Sequence, residues 1–263
     1  MSIPIKKIFK KDSGIIIGAL HFPPLLGFKD FAGYKHALKH AIADLKAFEA
    51  GGVDGVFIEN NYGLSKEKID SPVVVAMGYL INELRQHTKL PLGASVLWND
   101  YETAFALAHT YGLTFIRIPV FIDTVEPYCG IITGNPKHVK KTQALLGANE
   151  VAIFADILVK HSKHITTHSL ESAAKKAIRA GADAVIVTGD WTGQSPTLEV
   201  VTRLRSHIGN FPILVGSGID TSNVKELFTA ANGAIVSTSL KAGVIKAGER
   251  NVKGLATIEP CYH

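Results

Sequence analysis

Residues 50–58 read Ala50-Gly51-Gly52-Val53-Asp54-Gly55-Val56-Phe57-Ile58: a glycine pair, an acid and then an unbroken apolar run. The same order returns at Ala180-Gly181-Ala182-Asp183-Ala184-Val185-Ile186-Val187 and at Ala231-Asn232-Gly233-Ala234-Ile235-Val236. A looser copy stands at Tyr111-Gly112-Leu113-Thr114-Phe115-Ile116. Each copy reads as a helix end, a tight turn that needs glycine, and a strand buried on both faces, so the repeated object is a β/α unit.

Working outward, β-rich runs recur at Ile15–Leu20, Gly55–Glu59, Leu92–Leu97, Phe115–Pro119, Val151–Asp156, Ala184–Thr188, Ile213–Val215 and Ala234–Ser237. Each is too short for an ordinary helix. Between them lie segments of helical period. Ala37, Leu38, Ala41, Ile42, Leu45 and Phe48 form one apolar stripe that stops at Gly51-Gly52, and a segment opening at Ser169 carries Ala173, Ala174, Ala177 and Ile178 before Gly181. Eight alternating units in 263 residues predict an α/β fold, a single (β/α)8 TIM barrel spanning residues 1–263 as one domain. The competing doubly wound sheet wants a Gly-x-Gly-x-x-Gly turn after its first strand, whereas this strand runs into His21-Phe22-Pro23-Pro24.

The composition fits a compact globular chain: 46% hydrophobic and 19% charged, with a formal net charge of +5. The lysines lie in short scattered clusters, without the interleaved aromatics or recognition motif of a nucleic-acid-binding protein, so no nucleic-acid partner is expected. Cys129 and Cys261 lack metal-ligand spacing and are read as reduced thiols. The apolar run Gly14–Leu20 is too short for a signal core or a transmembrane segment, which places the expected location in the cytoplasm. A homo-oligomer is expected on general grounds alone.

In such a barrel chemistry sits at the carboxyl ends of the strands, so Asp54, Asp183 and Asn232, which precede strands, are assigned to structural turns. The strand tips supply the candidates. Glu59, Asp156, His161, His21 and Asp100 are the candidate catalytic residues, with Asp100 equally suited to cap the next helix. Asn60, Asn99, Arg117, Lys160, Thr188 and Asp190 are the candidate substrate contacts. Arg117 either pairs with a carboxylate or receives an anion, and the two roles are compatible. Gly216-Ser217-Gly218 after the seventh strand and Ser237-Thr238 after the eighth are positioned to hold a phosphate through backbone N–H groups and hydroxyls, helped by a helix opening at Thr221-Ser222-Asn223. A divalent cation (Mg or Mn) on Glu59 and Asp156, with His161, is left open; no other cofactor is expected. Walker, nucleophile-elbow and zincin motifs are absent from the sequence.

Ile17-Gly18-Ala19-Leu20-His21-Phe22-Pro23-Pro24-Leu25-Leu26-Gly27, then Gly51 to Asn60, resembles the BtpA family. The likeness continues in order through Leu90-Pro91-Leu92-Gly93, Val96 to Asp100, Phe115-Ile116-Arg117, Ala155 to His161 and Leu214 to Gly218. Trp98 and the stretch Tyr128-Cys129-Gly130-Ile131-Ile132 depart from the family pattern. The resemblance implies a barrel and a link to photosystem I biogenesis in some members, but no reaction. The residues point to an enzyme, a lyase, isomerase or hydrolase, acting on a phosphorylated sugar or nucleotide-like metabolite by acid–base or metal-assisted chemistry. A non-catalytic assembly or stability factor is the alternative.

Overall fold

The computed structural model describes residues 3–60, 68–127, 129–157, 162–166, 168–189, 194–237 and 239–240. The barrel strands are β1 (Ile15–His21), β2 (Gly55–Asn60), β3 (Leu92–Val96), β4 (Phe115–Ile118), β7 (Ala152–Asp156), β9 (Ala184–Thr188), β10 (Ile213–Gly216) and β11 (Gly233–Val236). They close parallel in the order β1-β2-β3-β4-β7-β9-β10-β11 and back to β1. The helices are α1 (Ile5–Phe9), α2 (Tyr34–Ala50), α3 (Ser71–His87), α4 (Tyr101–Tyr111), α5 (Pro136–Leu145), α6 (Leu170–Arg179), α7 (Leu198–Ile208) and α8 (Val224–Leu227). Three short strands, β5 (Thr124–Glu126), β6 (Ile132–Thr133) and β8 (Lys163–His164), pair antiparallel in the order β6-β5-β8 beyond the ends of β4 and β7.

Strand alternation divides the apolar side chains into two layers. Leu20, Val56, Ile58, Ala94, Ile116, Ile153, Val185 and Val215 face outward against the helices. Ile15, Ile17, Ala19, Phe57, Phe115, Phe154, Ile186, Leu214 and Ile235 fill the barrel, together with Ile5, Ile8 and Phe9 of α1. The basic segment at the amino end is thus a plug. Phe9 lies 5.8 Å from the Phe115 ring and 6.3 Å from that of Phe154, and those two rings stack at 4.6 Å. Glycine makes room for this filling: a Cβ on Gly93 would come within 2.1 Å of Phe115.

The repeat has a concrete counterpart at the barrel floor. The residues before β2, β4, β9 and β11 are Asp54, Thr114, Asp183 and Asn232, and their N–H groups donate to the carbonyls of Ile16, Leu92, Ile153 and Ile213, each at 2.8 Å. Asp54, Asp183 and Asn232 then accept the N–H of the same partner residue through a side-chain oxygen, at 2.8, 2.8 and 2.9 Å. Thr114 donates its hydroxyl to the Leu92 carbonyl instead. The barrel is therefore built from four two-strand units, each locked by the residue at the second strand's entrance. These polar groups act at the floor, away from the mouth. Among the described residues no helix is long and apolar enough to cross a membrane.

Candidate active site

Carrying the alternation one step past the apolar filling puts one inward position from each strand at the mouth: His21, Glu59, Ser95, Arg117, Asp156, Thr188, Gly216 and Ser237. The strand register aligns part of this ring directly. His21 pairs with Glu59 and Glu59 with Ser95, and the β3–β4 register, Gly93 with Phe115 and Ala94 with Ile116, leads on to Arg117. An apolar cylinder thus ends in a collar of acids, imidazole, guanidinium and hydroxyls.

Two side-chain pairs stand in the collar among the described residues. Arg117 donates from Nε to Asp156 Oδ1 at 2.8 Å and from Nη2 to Oδ2 at 2.7 Å, a two-pronged contact between adjacent strands. Its carbon Cζ stands 5.8 Å over the Phe57 ring. Burial is the largest single influence on this guanidinium and would lower its pKa. The Asp156 carboxylate, by charge and by hydrogen bond, and then Glu59, by charge, outweigh it, so the net shift is upward. Arg117 stays cationic, with its Nη1 edge making no hydrogen bond among the described residues. The second pair is His21 Nε2 with Glu59 Oε2, 3.3 Å apart at the tips of β1 and β2.

The hydroxyls are the unsatisfied part. Ser95 Oγ, Thr188 Oγ1 and Ser237 Oγ are buried with no hydrogen-bond partner, and so is Asn99 Oδ1 just past β3. Buried polar groups in folded proteins are almost always paired, so such a cluster marks a place where a polar partner belongs. Ser95 was not among the residues singled out by sequence. A serine between Ala94 and Val96 in an apolar strand gives no signal until its register against Glu59 is known.

Several expectations change in detail. Asp100 caps α4: Oδ1 accepts the Thr103 N–H at 3.2 Å, and Oδ2 accepts the Thr103 hydroxyl at 3.0 Å and the Ile69 N–H at 3.1 Å. Both oxygens are thus engaged, in starting α4 and in holding the segment before α3. Asn60 is buried at the end of β2. Gly216, Ser217 and Gly218 leave β10 with Ser217 and Gly218 at φ 68° and 58°, and the N–H groups of Gly218 and Ile219 donate to no group among the described residues. The helix expected after Thr221 is the four-residue α8, and its entrance is occupied by Asp220, whose Oδ1 accepts from the Ser222 N–H and hydroxyl. That helix end is therefore acidic and does not contribute to an anion site. His161, Lys160, Asp190 and Thr238 lie outside the described residues.

No group of three or more His, Cys, Asp or Glu side chains able to hold a metal ion occurs among the described residues. Both Asp156 oxygens accept from Arg117, so a cation there would sit against the guanidinium charge. Trp98 packs with Val120, Val125, Ile132 and Cys129, which ties the β3 tip to the β5–β6 hairpin beside the mouth. The two departures from the family pattern are thus one contact. Leu97, just before it, takes φ 50°, the left-handed region that a branched side chain seldom occupies.

A groove of about 660 Å³ lies at the opposite end, between Pro4, Asp12, Asp183, Arg205 and Phe228. Its guanidinium is tied to the backbone: Arg205 donates to the carbonyls of Ala230, Gly209 and Phe211 and to Asn232 Oδ1. That end is a structural seam.

A model of the BtpA family matches residues 12–251. The photosystem I biogenesis protein BtpA of Synechocystis sp. is 36% identical over 230 residues, covering 86% of this chain and 80% of that protein. A protein of Pyrococcus furiosus is 34% identical over 230 residues, 86% of each. Among solved structures, (S)-3-O-geranylgeranylglyceryl phosphate synthase from Thermoplasma acidophilum, in complex with sn-glycerol-1-phosphate, superposes with a TM-score of 0.60 at 16% identity, covering 92% of both chains. Tryptophan synthase subunit alpha from Campylobacter jejuni gives 0.55 at 17% identity, covering 91% of this chain and 92% of that one. At these identities the structural likeness shows the fold alone.

Proposed function

The chain belongs to the BtpA family, and from that premise and the collar at the barrel mouth we propose that it is an enzyme acting on a small phosphorylated metabolite by acid–base chemistry. The observation that carries this reading is the convergence of the Glu59–His21 and Arg117–Asp156 pairs on one ring that also holds unpaired buried hydroxyls. A scaffold has no use for that arrangement, because each buried ionic or orphaned group costs stability.

The roles follow from position. Glu59, with His21 beside it, handles the proton: one partner takes it while the other is able to return it. Arg117, held by Asp156 along one edge, aims its Nη1 edge at the charge that develops when a C–H or O–H bond ionises, already oriented before substrate arrives. The phosphate rests on the opposite side of the ring, on the N–H groups of Gly218 and Ile219 with Ser217 and Ser237 alongside. The solved neighbour that holds sn-glycerol-1-phosphate lends this side of the reading support at the level of architecture.

The test is a turnover screen of phosphorylated sugars and nucleotide-like compounds, with and without magnesium or manganese, on wild-type chain and Glu59→Gln. Turnover that falls by about 10²–10⁴-fold in the variant, with folding unchanged, is the expected result. Equal turnover in both rejects the role of Glu59. The name of the Synechocystis relative favours a second reading, an assembly or stability factor in which the mouth is idle. On that reading Glu59→Ala keeps the chain's cellular role.

A further inference from the structure

We infer that the chain pairs with a second copy of itself through the outer face of α3, with the rings of Phe31, Tyr34 and Tyr79 along one side of the contact. The inference concerns the outside of the barrel and is independent of the reading of the mouth.

The first ground is charge. The residues that α3 turns to solvent before its last position are Ser71, Pro72, Val75, Tyr79, Asn82 and Gln86, and none is a lysine, arginine, aspartate or glutamate. The helices α2, α5, α6 and α7 each expose at least two such charges, Lys35 and Lys39, Lys137 and Lys140, Lys175 and Arg179, and Glu199 and Arg203 among them. The neutral surface continues onto α4, which packs beside α3 and exposes Ala106, His109 and Thr110. Loss of charge over one connected patch is what separates the core of an interface from ordinary surface.

The second ground is the apolar content of that patch. Val75 is 66% and Tyr79 46% exposed. Tyr79 meets Tyr34 edge to face at 5.7 Å, and Tyr34 meets Phe31 in the same way at 5.1 Å, so a ladder of three rings ties α3 to the start of α2. Rings already braced against one another lose little freedom when a partner covers them, which suits them to anchor a contact.

The third ground is symmetry, and it selects the partner. The solvent-facing positions 71, 75, 82 and 86 are symmetric about the peptide bond between Gly78 and Tyr79. Two copies of α3 laid antiparallel across a two-fold axis at that bond set Ser71 against Gln86 and Val75 against Asn82, with the two Tyr79 rings flanking the axis. The same patch then serves both sides, as an isologous contact requires. Hydroxyls and amides both donate and accept, so each polar position can pair with its symmetry mate. Each copy carries a formal net charge of +5, and a contact through lysine-bearing helices would set like charges together, whereas this face sets none. An acidic or basic partner would find no opposite charge on it.

Sedimentation equilibrium of the full chain between about 1 and 100 µM tests this. The wild type should be a dimer in the upper part of that range. Val75→Glu and Tyr79→Arg should each weaken association about tenfold or more, because the two-fold axis brings each new charge toward its own copy. Lys175→Glu on α6 should leave association unchanged. The wild-type melting temperature should rise with protein concentration, and the two α3 variants should melt with the wild type at concentrations where all are monomers, since their altered side chains face solvent in the single chain. Three results overturn the inference: a wild type that stays monomeric at about 100 µM, as it would if another segment or a different partner covered the face; an oligomer that both α3 variants leave intact; or α3 variants that melt lower as monomers, which would show the face already packed within one chain.

Discussion

Arg117 on β4 and Asp156 on β7 meet edge to edge, Nε to Oδ1 at 2.8 Å and Nη2 to Oδ2 at 2.7 Å, with the carboxylate only 1% and the guanidinium 15% exposed. Neither charge has bulk water to fall back on. Asp156→Ala should therefore destabilise the chain by about 3–5 kcal/mol, because it leaves a buried cation unpaired. Replacing both residues with apolar ones of similar volume should cost much less. Urea unfolding of the two single variants and the double variant measures the coupling; additive losses would mean that the pair is not the unit described.

The same pair sets a pH expectation. The folded-state pKa of Arg117 is raised, so the stability it contributes is fully present below the unfolded-state value and is lost only as pH rises through the folded one. That window opens only at the ordinary arginine value, far above neutral pH. The difference in unfolding free energy between wild type and Arg117→Met should be flat from pH 7 to about pH 10. A difference that shrinks within that interval contradicts the assignment.

Two glycines on barrel strands make opposite demands. A Cβ on Gly93 would fall 2.1 Å from the Phe115 ring in the packed interior, so Gly93→Ala should cost at least about 1–3 kcal/mol and disturb the barrel filling. A Cβ on Gly216 meets nothing nearer than Thr188 Cγ2 at 3.4 Å, and no unusual φ is required there. Gly216→Ala should fold with a change below about 1 kcal/mol and lose phosphate affinity, since the added methyl occupies the mouth. Thermal melts alongside inorganic phosphate titration separate the two.

The barrel was legible because its period is written in local chemistry. The Gly51-Gly52-Val53-Asp54 turn and its echoes at residues 111–114, 180–183 and 231–232 carry both the helix stop and the residue that locks the floor. The strand tips were legible for the same reason, since Glu59, Arg117 and Asp156 are charged residues following apolar runs. Ser95 was not, because its meaning comes from the residues across the ring from it. Nor was α1: Ile5, Ile8 and Phe9 stand among lysines in a stretch too short to show a period, and only closure of the barrel shows the hole they fill. The hairpin β5–β6 was missed because two- and three-residue strands held by Trp98 have no period to detect.

Asp183 tests whether the floor and the mouth are independent. Its Oδ2 accepts the Ile153 N–H at 2.8 Å and its Oδ1 accepts the Ile3 N–H at 2.6 Å, so one carboxylate locks a two-strand unit and also fastens the segment leading to the α1 plug. Asp183→Ala strands two N–H groups at a buried seam, and the expected loss is about 1–3 kcal/mol for each one that water cannot reach. The Arg117–Asp156 and Glu59–His21 pairs lie at the other ends of the strands, separated from the floor by the Phe115–Phe154 layer. Ligand affinity at the mouth should therefore hold under conditions where the variant is still folded, even as its urea midpoint drops. An affinity that falls in step with stability would mean that the aromatic filling transmits movement of the floor to the collar, and the ring would have to be treated as coupled to the plug.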